Sequence, residues 1–531
     1  MAAKSSSSIL LRGGTVLSHD ADDHVIPLYD TDVLIQDNII ADVGKNISSP
    51  SEATEVIDCK GKIISPGFVD THHHVWQTQL KGRHADEGLV SYMVSGNMMS
   101  YVYTSEDTYW GQLSGCLEAI NSGTTLVLDH AHIAYTAEHA TSALAGTLDS
   151  GIRSIFAYTI PLRMTQWDRS SCVPNQDLLP EWALTQLCDW AEKYNYPTSE
   201  SQATTTVEIG MGFDFWFLPR EMVLGMFERL RQKGVRIVTT HVGRNAFQGL
   251  QPTIPMFSSY NLLQVPYPPT NTTPTLPFLL LSHCTGLPSI DLSLLASTGT
   301  PISSTPDTES QMGMGYPVAM HPSFTATRSA NVSLGIDCHS SNPSSIPLQA
   351  RNLLNLTRVE YNSHLLADDK FPAGSVKGSS EEAFNLATIR GARCLGLDAQ
   401  VGSIAKGKKA DIVVFDAAGS VGMLGAAEYD PVVAVVRFSE SADVQFVIVD
   451  GVVRKRNGKL VDVHVSPAGV TGESLGGGQG NTPTPWSKIA EQVRKTAKEI
   501  QARVDALSLE QGRKTLLATL HTDQSSLVDA A

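Results

Sequence analysis

Features that would tie the chain to a membrane, to nucleic acid or to an oxidising compartment are scarce in this sequence. Its 531 residues include only seven cysteines and no C-x-x-C pair, which fits reduced thiols and excludes a zinc finger. No apolar run approaches the roughly 20 residues that a membrane helix requires, and residues 1–8 are too polar for a signal peptide. The net charge of −15 disfavours nucleic acid and anionic membranes as partners. We therefore expect a cytoplasmic protein that binds neither nucleic acid nor a membrane.

The sequence does contain an apolar fraction of 42%, enough for a sizeable core, and a run of three histidines at residues 72–74. The stretch from Gly67 to Thr71, which precedes the run, predicts a short buried strand because apolar residues lie between turn residues. Residues i and i+2 of a strand point the same way. His72 and His74 should therefore share one face and could bind one metal ion, whereas His73 should point to the other side.

Between residues 66 and 392, apolar strand-like runs alternate with amphipathic helical stretches. This alternation predicts parallel strands joined by right-handed crossovers, and the strand count approaches eight. Polar residues follow several strands, among them His130, His241, His283 and Asp337. Because a (β/α)8 barrel builds its active site at the C-terminal ends of its strands, we predict an α/β protein with a (β/α)8 TIM-like barrel.

Strand patterns also occupy both ends of the chain, at residues 8–65 and 393–462. A strong hairpin signal, Asp450-Gly451, lies in the second block. We expect the two blocks to pair as a small β-sandwich domain. Residues 463–531 predict a linker and an amphipathic C-terminal helix. The apolar stripe of that helix begins at Trp486 and could pack on its own barrel or on a second subunit, which would give a homodimer.

The strand-end residues supply side chains that bind metals. Three imidazoles and a carboxylate suit a zinc-like ion with one coordination position left for water. An ion of this kind lowers the pKa of the water, and the carboxylate can take its proton. The candidates are His72, His74, His241, His283 and Asp337.

The motifs around these residues resemble those of the amidohydrolase superfamily. The branch that they resemble holds cytosine, guanine and S-adenosylhomocysteine deaminases and the triazine chlorohydrolases. The stretch Ser65–His74 is similar to the opening signature of that branch, and Leu334–Asp337 is similar to its strand-eight segment. The closing signature has counterparts at residues 387–397 and 401–413. The resemblance spans about residues 9–460.

The resemblance implies a distorted (β/α)8 barrel with a small β-sandwich built from both chain ends. It implies that His72, His74, His241 and Asp337 bind the metal and that Asp337 is also the general base. His283 would contact the attacked group or the metal's water. Two-metal members have a bridging lysine near strand four, and this sequence has none there. We therefore expect one divalent ion, with zinc favoured over iron or manganese.

One position departs from the family pattern. Family deaminases carry a glutamate in a His-x-Ala-Glu motif after strand five, and that glutamate shuttles protons to the substrate nitrogen. Here the segment is His241-Val242-Gly243-Arg244. Arginine stays charged and cannot shuttle protons, although it could hold an acidic or phenolic group through a bidentate contact. The candidate replacements for the lost acid are His130, His132 and His339, followed by Glu208 and Asp214.

The leading hypothesis is a mononuclear, metal-dependent hydrolase that cleaves a C–N bond of an amide, a lactam or an amino-substituted ring. The missing glutamate shifts the expectation from ring deamination towards amide or lactam cleavage. Arg244, Gln77 and His339 are the candidate substrate-binding residues. The alternative is a non-hydrolytic lyase that decarboxylates or cleaves a C–C bond of an acidic or phenolic substrate held by Arg244. We expect the Pro-rich stretch Gln251–Pro277 to form a lid over the pocket.

Overall fold

The computed structural model describes residues 8–195, 206–247, 252–266, 276–326, 331–475 and 483–529. Within these residues the strands are β1 (Ser8–His19), β2 (Val25–Gln36), β3 (Ile39–Gly44), β4 (Glu55–Asp58), β5 (Ile63–Pro66), β6 (Phe68–His73), β7 (Thr124–Ala131), β8 (Arg153–Thr159), β9 (Met164–Trp167), β10 (Cys172–Pro174), β11 (Val207–Gly212), β12 (Ile237–Gly243), β13 (Phe278–Thr285), β14 (Ile302–Ser304), β15 (Val332–Leu334), β16 (Ile412–Phe415), β17 (Val444–Val449), β18 (Val452–Arg456), β19 (Lys459–Leu460), β20 (Val463–His464) and β21 (Pro483–Thr484).

The helices of the same residues are α1 (Leu89–Ser95), α2 (Ser105–Asn121), α3 (Ala137–Ser150), α4 (Glu181–Asn195), α5 (Arg220–Gln232), α6 (Ile254–Ser259), α7 (Ser289–Thr298), α8 (Pro306–Gln311), α9 (Pro322–Thr325), α10 (Ile346–Ala367), α11 (Ser380–Leu386), α12 (Ile389–Cys394), α13 (Leu424–Tyr429), α14 (Pro431–Val433), α15 (Pro467–Thr471), α16 (Trp486–Val504) and α17 (Leu509–Thr519). None of these described helices is both long and apolar enough to cross a membrane.

Eight parallel strands form the predicted barrel. Each strand hydrogen-bonds to the next in the order β6, β7, β8, β11, β12, β13, β14 and β15. The first and last strands meet just beyond their ends: the N–H of Asp337 donates to the carbonyl of His72 at 2.8 Å, and the N–H of His74 donates to the carbonyl of Asp337 at 3.0 Å. The predicted fold class is therefore confirmed, and barrel closure takes place at the candidate metal ligands.

The two ends of the chain, for which the sequence predicts a small β-sandwich, share one nine-stranded sheet. Strand β16 pairs antiparallel with β5 on one side and with β17 on the other, and β5 pairs in parallel with β1. Buried residues of this sheet, including Val33, Ile64, Val414 and Phe446, pack in an apolar cluster of their own. Because β5 leads directly into β6, the sheet fixes the chain where it enters the barrel.

The C-terminal region contains more secondary structure than the predicted linker and single helix. The predicted linker includes the short helix α15, whose cap Ser466 donates its N–H to the carboxylate of Asp149 at 2.8 Å. Helix α16 packs on α2 of its own barrel, which decides against the alternative that only a second subunit covers its apolar face. The sequence did not predict α17, which packs on α1 and β10.

Candidate metal centre

Four side chains converge at the C-terminal ends of β6, β12 and β15. The Nε2 atoms of His72 and His74 lie 3.3 and 3.1 Å from Oδ1 of Asp337, and Nε2 of His241 lies 3.4 Å from Nε2 of His74. Ligand atoms in a tetrahedral zinc site, bound at about 2.0–2.1 Å, are roughly 3.3–3.4 Å apart. The spacing of these four side chains therefore fits a single cation of that size.

The three imidazoles are oriented by partners on their far nitrogen atoms. His72 Nδ1 lies 2.8 Å from the Ser282 hydroxyl, His74 Nδ1 lies 2.9 Å from the carbonyl of His130, and His241 Nδ1 lies 2.9 Å from the carboxylate of Asp214. A carbonyl and a carboxylate only accept hydrogen bonds, so the second and third rings carry their proton on Nδ1. Their Nε2 lone pairs are thereby left free for a metal ion.

The charge states of His72, His74 and Asp337 suit metal binding. Burial holds the pKa of His72 well below its usual range and also lowers the pKa of His74, so both rings are neutral. Burial alone would raise the pKa of Asp337, but the neighbouring His72, His74 and His283 keep it well below its usual range. Neutral imidazoles and an ionised carboxylate are the forms in which these side chains bind metals.

His283 lies beside this group on β13. Its Nε2 is 3.9 Å from Oδ2 of Asp337, and its Nδ1 is 3.0 Å from the Thr305 hydroxyl and 3.4 Å from Oε1 of the fully buried Glu309. Glu309 was not identified as a functional residue from the sequence. Its only indication in the sequence is an acidic side chain shortly after a weakly predicted strand. His283 and Asp337 both adopt left-handed backbone angles, with φ of 74° and 63°. Such angles are uncommon outside glycine and cluster at functional sites.

The predicted substrate-binding residues lie elsewhere. Arg244 is exposed, and it is not among the described residues that line the cavity above the candidate ligands. Gln77 is buried, with its amide donating to the Tyr92 hydroxyl at 2.9 Å. His339 is also buried; it contacts His73 Nε2 through Nδ1 at 2.8 Å, on the side of β6 that faces away from the metal ligands. The geometry brings none of the three to the cavity.

The candidate proton donors are also distributed differently from the prediction. Glu208 lies at the opposite end of the barrel, where Arg236 donates to its carboxylate at 2.7 Å, so it cannot serve the site. Burial would raise the pKa of Asp214, but His241 and His130 hold it well below its usual range. Asp214 is therefore a carboxylate that orients histidines rather than an acid. His132 lines the cavity, and its Nδ1 accepts the indole N–H of Trp76 at 3.2 Å.

A cavity of about 530 Å³ opens above the candidate ligands, with His74, His241, His283 and Asp337 among its lining residues. Much of the remaining wall is apolar and contains thioether and aromatic side chains. These include Met93, Met98, Met312, Met314, Phe215 and Phe217. Of the expected lid, Pro252 lines the cavity; residues 251 and 267–275 of that stretch lie outside the described residues. The cavity can hold a small molecule that reaches the candidate ligands.

Comparison with known sequences identifies relatives over most of the chain. The 5'-deoxyadenosine deaminase of Methanothermobacter thermautotrophicus is 28% identical over 435 residues, which cover 81% of this chain and 90% of the relative. The 5-methylthioadenosine/S-adenosylhomocysteine deaminase of Acetivibrio thermocellus is 25% identical over 470 residues, covering 86% and 96%.

Solved structures share the fold. The atrazine chlorohydrolase of Arthrobacter aurescens TC1, complexed with zinc, superposes with a TM-score of 0.69 at 18% identity and covers 92% of this chain and 100% of its own. An adenosine deaminase from Xanthomonas campestris with bound zinc gives a TM-score of 0.68 at 18% identity, covering 93% and 99%.

The family profile described as the Amidohydrolase family matches residues 63–206 and 287–454, which is more than half of the chain. The predicted enzyme class, a metal-dependent hydrolase that acts on C–N bonds, is confirmed by this match and by the deaminases among the relatives. The alternative of a lyase finds no support among them. The chain belongs to the amidohydrolase family.

Proposed function

We propose that this protein holds one zinc ion through His72, His74, His241 and Asp337 and hydrolyses a C–N bond of a neutral small molecule. The observation that carries the proposal is the convergence of three imidazole Nε2 atoms and one carboxylate at ligand-to-ligand distances. The zinc in the chlorohydrolase and deaminase structures supports zinc over iron or manganese. The absence of lysine from β11 supports a single ion.

The two oxygens of Asp337 have different surroundings and can perform different tasks. A divalent ion held here would supply a water of near-neutral pKa and polarise the carbon under attack. Oδ1 of Asp337 faces His72 and His74, whereas Oδ2 lies on the side of His283. Oδ2 is therefore free to accept a proton from the attacking water and to return it to the leaving nitrogen. Glu309 holds His283 in place for contact with the attacked group.

The cavity favours a substrate without negative charge. Its described lining contains no lysine or arginine, and its carboxylates are Asp214 and Asp337. Away from the ion, a substrate carboxylate or phosphate would be buried among apolar side chains without a lysine or arginine partner, which is costly. Arg244, the residue expected to hold such a group, lies outside this lining. The neutral 5'-deoxyadenosine, named for one relative, is a compound of the kind that fits.

The second candidate function is cleavage of a lactam or amide C–N bond in place of ring deamination. Ring deamination requires a proton on a ring nitrogen in addition to one on the leaving group. The position after strand five carries Gly243-Arg244 and offers no acid for that step. In an amide or lactam, the single proton that Asp337 removes from water can be returned to the leaving nitrogen. This observation favours lactam or amide cleavage as the alternative to ring deamination.

The proposal is tested with zinc-loaded enzyme on pairs of substrates that differ in charge. Hydrolysis is measured for 5'-deoxyadenosine against adenosine 5'-monophosphate, and for dihydrouracil against dihydroorotate. We expect one neutral compound to be hydrolysed, with kcat/KM at least about tenfold above that of its anionic counterpart. His74→Ala should abolish hydrolysis, and the exposed His24→Ala should not. Turnover of neither neutral compound, or preference for an anionic one, would contradict the proposal.

A further inference from the structure

The end of helix α17 lies over the same cavity as the candidate metal ligands. Leu516, Ala518, Thr519, Leu520 and His521 all line it. The family profile ends at residue 454, so this part of the wall comes from chain beyond the matched region. The substrate cavity is therefore completed by a segment that the shared signatures of the family do not include.

Helix α17 is anchored to the hairpin of β9 and β10. The indole N–H of Trp167 donates to the carbonyl of Ser508 at 2.9 Å, and the hydroxyl of Thr515 donates to the carbonyl of Cys172 at 2.8 Å. Gly512 permits the close approach, because a Cβ at that position would lie 2.4 Å from the Trp167 ring. These contacts fix the position of α17 relative to the barrel.

Helix α1 and strand β10, which pack on α17, form one layer with it over the cavity. Helix α1 contributes Leu89, Tyr92 and Met93 to the lining, and the residues at and after the end of β10 contribute Asn175 and Gln176. We call this layer, with residues 516–521, the roof. Leu520, which directly follows α17, is a partly buried apolar residue of the roof and packs against the core.

We propose that the C-terminal segment 516–521, and Leu520 in particular, determines the size of the apolar substituent that a substrate can carry. The inference rests on the proposed function, because the reacting C–N bond would lie at the metal ligands and the substituent would extend to the roof. The roof carries no lysine, arginine or acidic side chain, and the cavity wall contains Met93, Met98, Met312 and Met314. The substituent that it suits is an alkyl, thioalkyl or aryl group.

The position of the roof is tested without metal or substrate. All seven native cysteines are buried, so the Met314→Cys variant places a new thiol in the cavity wall. The rate at which N-phenylmaleimide modifies this thiol is measured after subtracting the rate for the parent protein. Adding Leu520→Trp should slow the reaction several-fold, and adding Leu520→Ala should accelerate it.

The matched control is Leu509, the first residue of α17, which is 42% exposed and does not line the cavity. Leu509→Trp and Leu509→Ala should leave the rate of modification unchanged. If the Leu520 variants also leave it unchanged, or if the Leu509 variants change it equally, the roof does not cover the cavity and the inference is wrong.

Specificity is then tested with 5'-deoxyadenosine and 5'-methylthioadenosine, which differ in the size of a neutral 5' substituent. Leu520→Trp should lower the ratio of kcat/KM for the larger over the smaller compound, and Leu520→Ala should raise it. An unchanged ratio alongside altered thiol modification would show that the roof covers the cavity without selecting the substituent, which overturns the inference. Absence of turnover of both compounds by the parent enzyme would instead count against ring deamination as the reaction of the proposed function.

Discussion

Asp214 is the side chain on which the orientation of His241 depends. Its Oδ1 accepts the main-chain N–H of His241 at 2.9 Å, and its Oδ2 accepts the ring Nδ1–H at 2.9 Å. The same carboxylate lies 3.3 Å from Nε2 of His130. Because one carboxylate holds both the backbone and the ring, Nε2 of His241 is presented to the other candidate ligands. The negative charge of Asp214 also favours a cation bound to the His241 ring.

We expect Asp214→Asn to weaken zinc binding about 10–100-fold. An amide has only one accepting oxygen, so one of the two N–H groups of His241 would face an N–H instead. The affinity can be measured by competition with a chromogenic chelator. Asp189→Asn, which changes an exposed carboxylate of α4, is the control and should bind zinc as the parent does. Equal affinities for the Asp214 and Asp189 variants would show that the carboxylate does not support the ligand.

Asp129 is a buried carboxylate whose ionisation opposes folding. Burial raises its pKa from 3.8 to about 6, although Gln112 donates to its Oδ2 at 2.6 Å and the N–H of Val75 donates to its Oδ1 at 3.2 Å. Between these two pKa values the folded protein binds a proton that the unfolded chain has released. The contribution of this group to stability is therefore undiminished below pH 3.8, falls as pH rises towards 6, and stays low above 6.

Asp129→Asn should remove this penalty. We expect the unfolding free energy of the variant, relative to the parent, to rise between pH 4 and pH 6 and then level off, by an amount on the order of 2–3 kcal/mol. A flip of the Gln112 amide would let the new amide donate to its oxygen. The measurement is denaturant unfolding at a series of pH values, with Asp189→Asn as control. A difference that does not change with pH would contradict the raised pKa.

At the scale of the elements, barrel closure depends on Gly335, which follows β15. A Cβ there would lie 2.7 Å from the carbonyl oxygen of His72 and 2.8 Å from the hydroxyl of Ser303. The chain at the end of the last strand can therefore approach β6 closely only because this residue has no side chain. The close approach also brings Asp337 within reach of His72 and His74.

Gly335→Ala should destabilise the protein by about 1–3 kcal/mol, because it overpacks a closed interface, and should weaken metal binding. Gly225→Ala is a matched control of opposite sign: Gly225 lies in α5, and a Cβ at that position would meet no neighbouring element within 4 Å. Alanine in a helix should stabilise by about 0.5–1 kcal/mol relative to glycine. The measurement is thermal unfolding of both variants and of the parent protein. If the two changes have the same effect, the contact with β6 does not limit the approach of the strands.

At the scale of the whole molecule, one ion would connect the beginning, middle and end of the barrel. His72 and His74 belong to the first strand region, His241 to the fifth and Asp337 to the eighth. A ligand that binds only the folded state stabilises it, by about 4 kcal/mol at a thousandfold excess over its dissociation constant. The unfolded chain cannot hold residues so far apart in sequence around a single ion.

Removal of metal with a chelator should therefore lower the Tm and abolish hydrolysis together, and added zinc should restore both. The Tm is measured by scanning calorimetry before and after dialysis against the chelator. The His74→Ala variant, which lacks one ligand, should have a lower Tm that no longer responds to either treatment. If the Tm of the parent changes with neither chelator nor zinc, the ion does not stabilise the fold.

The sequence alone was sufficient for the barrel, the sheet shared by both chain ends and the four residues that converge. Strand periodicity is local, so the alternation around His72 and His74 gives their common face without knowledge of the rest of the chain. The parallel topology then places His241 and Asp337 at the same end of the barrel. Motifs in a fixed order over most of the chain supplied the family.

Only the tertiary structure decided what surrounds those four residues. The roles of Asp214 and Glu309, the outward position of Arg244 and the contribution of Leu520 to the cavity depend on contacts between segments far apart in the chain. No local pattern encodes such contacts, because the direction of a side chain beyond a strand end follows from loop geometry rather than from periodicity. The chemistry of the ligands could therefore be predicted from the sequence, whereas the shape and charge of the cavity could not.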